Sequence, residues 1–147
     1  MRRIPVALAL MSFLTLMLEL LLTRVFDVIL WTTTGYMVIS CALLAFGMAG
    51  MYAVFRPWPA DRNLRPALAR LAVLFAIALL LIRPLINLNP FNLDIVGDQL
   101  LLQMAWFGGI YLTLVIPFFL SGLIFVRVFS VYASDIRRLY GWDLLGA

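Results

Sequence analysis

Several residue types are missing or scarce in this sequence, and each absence excludes a class of site. There is no histidine, which excludes His-ligated haem, His-containing zinc sites and any nucleophile that a histidine activates. Cys41 is the only cysteine, so no disulfide can form within the chain. Charged residues make up 12% of the sequence, about half the share of a soluble domain. We expect no metal and no cofactor, and we do not expect a soluble fold.

Lysine is also absent, so all eleven basic residues are arginines, and the net charge is +4. A basic balance can indicate nucleic-acid binding. These arginines, however, stand near the ends of long apolar runs, where membrane proteins use them to set their orientation. The sequence therefore predicts a lipid bilayer as the partner, and no nucleic acid.

Long apolar runs fill most of the chain: residues 4–23, Gly35–Phe55, 67–86 and 100–126. A helix of about 20 apolar residues crosses the ~30 Å hydrocarbon layer of a bilayer. The pattern predicts an all-α, polytopic membrane protein with four transmembrane helices.

The last part of the sequence predicts the start of a fifth helix. Ser134 is a candidate N-cap for a helix that begins near Asp135. The sequence stops at Ala147, one or two turns into that segment. We therefore expect a single transmembrane domain, residues 1–147, that is truncated at its C-terminus.

The arginines also predict which side each end faces. With the N-terminus in the cytoplasm, only Arg24 and Arg83 of the eleven arginines fall on the far side, as the positive-inside rule requires. Residues 56–66 then form a short cytoplasmic turn rich in arginine and proline. Residues 87–99 form a longer far-side loop with a short amphipathic segment at the interface.

Glu19 is the one acidic residue deep in a predicted span. A charge at the centre of a span costs ~2.5–3.5 kcal/mol on insertion scales, so such residues usually pair or face a cavity. One interpretation is a carboxylate that binds a proton or a cation. The other is a structural role, either as an ion pair, for which Arg83 is the preferred partner, or as a protonated acid that is hydrogen-bonded to a neighbour.

Three other polar residues lie inside the predicted spans or at their ends. Asp143 becomes a second intramembrane acid if the fifth helix enters the bilayer. Arg24 ends the first span and is expected at the interface. Arg83 either reaches the interface or pairs, with Glu19 or with Asp94 or Asp98 of the following loop.

Small residues and one proline predict how the helices pack. Pro117 removes a backbone hydrogen bond within the fourth run and predicts a kink. Gly122 follows it closely, and Gly47 and Gly50 lie in the second run. Such residues favour the close approach of helices rather than a ligand site.

Some segments form a pattern in their order and spacing: residues 19–24 (ELLLTR), 36–50 (YMVISCALLAFGMAG), 116–122 (IPFFLSG) and 138–147 (RLYGWDLLGA). Together they resemble the N-terminal transmembrane region of membrane-bound spermidine synthase-like proteins, which are polyamine aminopropyltransferase-like. In that family a multi-span membrane region precedes a Rossmann-like domain, which transfers an aminopropyl group from decarboxylated S-adenosylmethionine to putrescine. The resemblance implies a membrane anchor or regulatory region of a transferase in polyamine biosynthesis.

The chain itself lacks the Gly-rich turn of a Rossmann-like domain and the acidic cluster that would hold a diamine. We therefore expect no catalysis from this chain alone, and we expect a bacterial inner membrane as its location. Two other functions stay open. One is a fragment of a major-facilitator-like transporter, in which Glu19 and Asp143 line a cation or proton path. The other is a structural module that packs against partner membrane helices.

Overall fold

The computed structural model describes residues 3–29, 35–56, 64–90 and 99–147. Its elements are α1 (Arg3–Ile29), α2 (Gly35–Phe55), α3 (Leu64–Asn87), α4 (Leu100–Val131), a short 3-10 turn (Ala133–Asp135) and α5 (Ile136–Gly146). The first four helices are long and apolar enough to cross a bilayer. The predicted fold class, an all-α polytopic membrane protein, is confirmed.

Three of the four spans are longer than the apolar runs that predicted them. α1 continues past Thr23 to Ile29, and α4 continues five residues beyond residue 126 to Val131. α3 begins at Leu64, so that Pro66 lies in its first turn, where a proline costs no helical hydrogen bond. The predicted amphipathic segment within residues 87–99 falls mostly on 91–98, which lie outside the described residues.

The start of α5 differs from the prediction. α5 begins at Ile136, and its N-cap position is held by Asp135 rather than Ser134. Ser134 lies in the 3-10 turn, and the Asp135 side chain makes no capping hydrogen bond. The 3-10 turn separates α5 from α4. At this turn the Asp135 backbone N–H donates to the Tyr132 carbonyl at 2.9 Å.

α4 is the central helix and contacts α1, α2 and α3. Half of its most apolar stretch is buried inside the protein, against 17% for α3, which packs chiefly on α4. The main buried cluster joins α2 and α4, with Val38, Cys41 and Ala45 of α2 against Leu114 and Phe118 of α4. A second cluster joins the beginning of α1 to the end of α4 and the beginning of α5.

Contacts between the helices give an up-and-down topology. The beginning of α2 touches the end of α1, since the backbone N–H of Gly35 donates to Asp27. The end of α3 touches the beginning of α4, since the Asn89 side chain donates to the Trp106 carbonyl at 2.9 Å. The beginning of α1 and the end of α4 therefore share one end of the bundle. We call it the arginine-rich end, because it holds Arg56, Arg65, Arg70, Arg127, Arg137 and Arg138.

Candidate functional site

The inward face of α1 carries three polar residues in its middle. The buried positions on this helix follow a spacing of three and four residues, which is one face of an α-helix: Leu8, Ser12, Thr15, Leu22 and Phe26. Glu19, half-buried, occupies the step between Thr15 and Leu22. Ser12, Thr15 and Glu19 thus form a polar segment of about 10 Å along the helix axis, since a helix rises about 1.5 Å per residue.

α5 packs against this face and brings Asp143 to it. Leu139 of α5 is buried in a cluster with Leu8 of α1. One turn further along α5, Asp143 accepts a hydrogen bond from the Ser12 hydroxyl. Gly146 then lies so close to the backbone of α1 that a Cβ there would collide with the Ala9 carbonyl.

Most of the α1 residues near the end of α5 lie further along α1 than those near its beginning. Its beginning lies beside Ile4 and Pro5, and its end borders the cleft that Thr15 and Glu19 line. α5 therefore runs parallel to α1, from the arginine-rich end toward the middle of the bundle. This course places Asp143 beside α1; the predicted start of a fifth transmembrane helix stays a prediction.

A cleft of about 400 Å³ lies between α1, α4 and α5. Two acids, Glu19 and Asp143, border it, together with Ser12 and Thr15. The remaining wall is apolar and largely aromatic: Leu16, Phe46, Phe125, Phe129 and Ala147. The Phe46 and Phe125 rings pack with their centroids 6.0 Å apart. The structure thus joins two of the four polar residues that the sequence singled out.

The carboxylate of Glu19 has no hydrogen-bond or salt-bridge partner within the described parts of the chain. Thr23 shares its helical face, but the Thr23 hydroxyl donates to the backbone carbonyl of Glu19, at 2.8 Å, and not to the side chain. No salt bridge joins Glu19 to Arg83, although the structure describes both residues. The predicted Glu19–Arg83 ion pair is therefore not formed.

The two candidate arginines lie away from the cleft. Arg24 and Arg83 are both exposed and belong to the ends of α1 and α3 that lie opposite the arginine-rich end. The candidate span of α1 continues past Arg24 to Val28, and the interfacial position of Arg24 stays a prediction. The alternative partners of Arg83, Asp94 and Asp98, lie outside the described residues.

The hydroxyl groups in the cleft already have hydrogen-bond partners, Asp143 of α5 for Ser12 and its own helix for Thr15. The Thr15 hydroxyl donates to the Met11 carbonyl at 2.8 Å, and the Ser12 hydroxyl lies 3.0 Å from the Leu8 carbonyl. Their oxygens can still accept a hydrogen bond. In the described ranges no group of three or more Cys, Asp or Glu side chains is placed to hold a metal ion. The two carboxylates that border the cleft can take up a proton or a cation.

The predicted packing residues separate into two kinds. Gly122 lies against α2, and a Cβ in its place would come within 2.9 Å of the Ala49 Cβ. A Cβ at Gly47 or Gly50 would meet no atom of the described residues within 4 Å, so neither glycine is needed for a close approach there. α4 runs unbroken through Pro117, which is buried, and the predicted kink stays a prediction.

Asp27 has a role that the sequence analysis did not predict. Its Oδ1 accepts a hydrogen bond of 3.1 Å from the backbone N–H of Gly35, the first residue of α2. The first N–H groups of a helix have no partner within it, so Asp27 supplies one and also places a negative charge at the positive end of the helix. A side chain at position 35 would collide with Asp27.

Comparisons with known proteins add no relative: no protein-family model, curated protein or solved structure matches this chain. The resemblance to spermidine synthase-like proteins therefore stays a prediction from the quoted segments.

Proposed function

We propose that the chain is a membrane-embedded anchor or regulatory region of a spermidine synthase-like protein, without catalysis of its own. The observation that carries the proposal is the course of α5. This helix comprises most of the segment 138–147 that resembles the start of the family's fifth helix, and it runs into the bundle parallel to α1. Under this proposal the chain lies in a bacterial inner membrane. Its partner is a downstream Rossmann-like domain or, alternatively, a set of partner membrane helices.

The experiment is to read the coding sequence beyond the codon for Ala147 in the source genome. The proposal expects further apolar spans, followed by a soluble segment with a strand, a Gly-rich turn and an acidic residue about 20 positions later. A reading frame that stops, or that continues only as apolar spans, contradicts it.

A cation or proton path is the second candidate function, and the cleft favours it. Glu19 and Asp143 lie on different helices and 124 positions apart in the sequence, yet both border the same space. Intramembrane acids that face a cavity are typical of ion and proton pathways, because a carboxylate in lipid is costly without a partner. Under this proposal Glu19, which has no partner in the described residues, takes up the proton or cation.

Flux measurements test the second candidate with the complete protein in liposomes. Glu19→Gln keeps the shape of the side chain and removes its charge, so it abolishes proton- or cation-driven flux. Asp135→Asn removes an exposed acid outside the cleft and leaves flux unchanged. Equal flux in the wild type, Glu19→Gln and Asp135→Asn excludes a path through the cleft.

A further inference from the structure

An apolar groove runs along the outside of the bundle between α3 and α4, away from the cleft. Its volume is about 340 Å³. Its walls include Leu74, Ile77 and Leu85 of α3 and Thr113, Ile116 and Leu120 of α4. From Leu74 to Leu85 the groove extends about 16 Å along α3, which is close to half of the ~30 Å hydrocarbon layer.

The walls of this groove suit an acyl chain. Among the described residues that border the groove, Thr113 carries the one polar side chain, and its hydroxyl donates to the Gly109 carbonyl at 2.9 Å. A polar ligand would find no partner there. Close contact with another helix favours small residues, whereas these walls consist mainly of leucine and isoleucine.

Two arginines stand at one end of the groove, which is the arginine-rich end of the bundle. Arg70 precedes Leu74 by one helical turn, and Arg127 follows Leu120 by two turns, so each lies on the groove side of its helix. Leu71 of α3 packs on the cluster that contains Val128 of α4. Arg70 and Arg127 therefore lie at the same level of the bundle.

We propose that this groove binds an anionic phospholipid, with one acyl chain along α3 and α4 and the phosphate at Arg70 and Arg127. Charge complementarity decides the occupant, because basic side chains at the cytoplasmic end of a transmembrane groove attract anionic headgroups. Arg70 is exposed and reaches the level of the headgroups by extending its side chain. The inference is independent of the proposed function.

The test measures how strongly the protein selects one lipid over another. The wild-type protein is reconstituted into phosphatidylcholine vesicles that contain a trace of chain-spin-labelled phosphatidylglycerol or, in parallel, chain-spin-labelled phosphatidylcholine. Electron paramagnetic resonance gives the motionally restricted fraction of each label. The proposal expects a larger restricted fraction for phosphatidylglycerol than for phosphatidylcholine.

Arginine variants test the headgroup end. Arg70→Gln lowers the selection for phosphatidylglycerol about fivefold, since a basic residue near the surface is worth about 1 kcal/mol to an anionic lipid. Arg70→Lys keeps the charge and most of the selection. Arg83→Gln removes an exposed arginine from the same helix, at its opposite end, and leaves the selection unchanged.

Alanine variants test the acyl-chain end. Ala78 borders the groove, so Ala78→Phe fills it and reduces the restricted fraction of both labels. Ala76 is exposed on another side of α3, and Ala76→Phe serves as the control. Circular dichroism checks that each variant is folded, and the arginine comparison stands by itself if Ala78→Phe does not fold.

Any of three results overturns the proposal. One is an equal restricted fraction for the two labels in the wild type. Another is the same loss of selection in Arg70→Gln and Arg83→Gln, which would assign the effect to net charge alone. The third is an Ala78→Phe variant that still binds lipid but dissociates an oligomer. In that case the groove binds a partner helix, and the proposal fails.

Discussion

The α2–α4 contact and the α1–α5 contact join their helices in different ways. α2 meets α4 through small and apolar residues, with Ala45 and Ala49 fully buried and Gly122 allowing their close approach. α1 meets α5 through one buried leucine from each helix, a hydrogen bond between Ser12 and Asp143, and a glycine, beside an open cleft. One contact is apolar and tightly packed, and the other is polar and incompletely filled.

The two contacts differ in what they contribute: one to the stability of the fold, the other to the candidate function. Lipid tails are as apolar as leucine, so helices in a bilayer gain little from hydrophobic burial and associate mainly through close packing. The α2–α4 contact meets that requirement. A polar contact within the spans costs free energy unless its groups are paired, and it is typically retained where it binds something. We therefore assign stability mainly to the first contact and the candidate chemistry to the second.

The largest expected effect is at Gly122. Gly122→Val forces a side chain against Ala49 and lowers the free energy of unfolding by about 1–3 kcal/mol, the usual cost of overpacking. Gly47→Val is the matched control, because a Cβ there meets nothing within 4 Å. Reversible unfolding in mixed micelles measures both. Equal losses would show that α2 and α4 do not approach each other at Gly122.

A smaller effect is expected at the end of α5. Gly146→Val collides with the Ala9 carbonyl and lifts α5 from α1. Amide hydrogen exchange in α5 should then become about tenfold faster, which corresponds to about 1.4 kcal/mol of lost protection. Gly141→Val, at a glycine with open space around it, should leave the exchange rates near those of the wild type. Unchanged exchange in Gly146→Val would contradict the close contact.

The hydrogen bond between Ser12 and Asp143 should contribute less. A double-mutant cycle with Ser12→Ala and Asp143→Asn should give a coupling free energy of about 0.6 kcal/mol, the average for hydrogen bonds within membrane proteins. Ser40→Ala supplies the reference, since the exposed Ser40 hydroxyl bonds only to its own helix, at the Tyr36 carbonyl. A coupling of zero would mean that the two side chains do not interact.

The smallest effect on stability is expected at Glu19. Glu19→Gln should change the free energy of unfolding by less than about 0.5 kcal/mol, because its carboxylate has no partner in the described residues that the change would break. A loss of several kcal/mol would instead indicate a structural ion pair. The same variant tests flux, so one protein distinguishes the structural role from the functional one.

Length and hydropathy were sufficient to predict the helices but not which side of each helix faces inward. In a soluble helix, apolar residues three or four positions apart mark the buried face, and polar residues mark the exposed one. A transmembrane helix has apolar surroundings on all sides, so Gly47 and Gly122 look alike in the sequence. Only the structure shows that a Cβ at Gly122 would meet α2, while a Cβ at Gly47 would meet no atom of the described residues.

The candidate site could be predicted in part. Glu19 and Asp143 stand out as acids in apolar segments, and Ser12 and Thr15 share a helical face with Glu19 in the sequence itself. That polar stripe was the signal that sequence reasoning overlooked. The meeting of Ser12 with Asp143 could not be predicted, because it depends on the direction that α5 takes after the 3-10 turn.

The most direct test of the central claim is whether α5 lies beside α1 in the membrane, with Asp143 at Ser12. Ser12→Cys and Asp143→Cys are combined in a Cys41→Ala background, which has no other cysteine. The control pair is Leu10→Cys with Asp143→Cys, because Leu10 is exposed on another side of α1. Membranes are treated with a mild oxidant, and the cross-linked peptide is measured by mass spectrometry. The account predicts rapid intramolecular cross-linking of the 12–143 pair and little of the 10–143 pair; equal or absent cross-linking in both would contradict it.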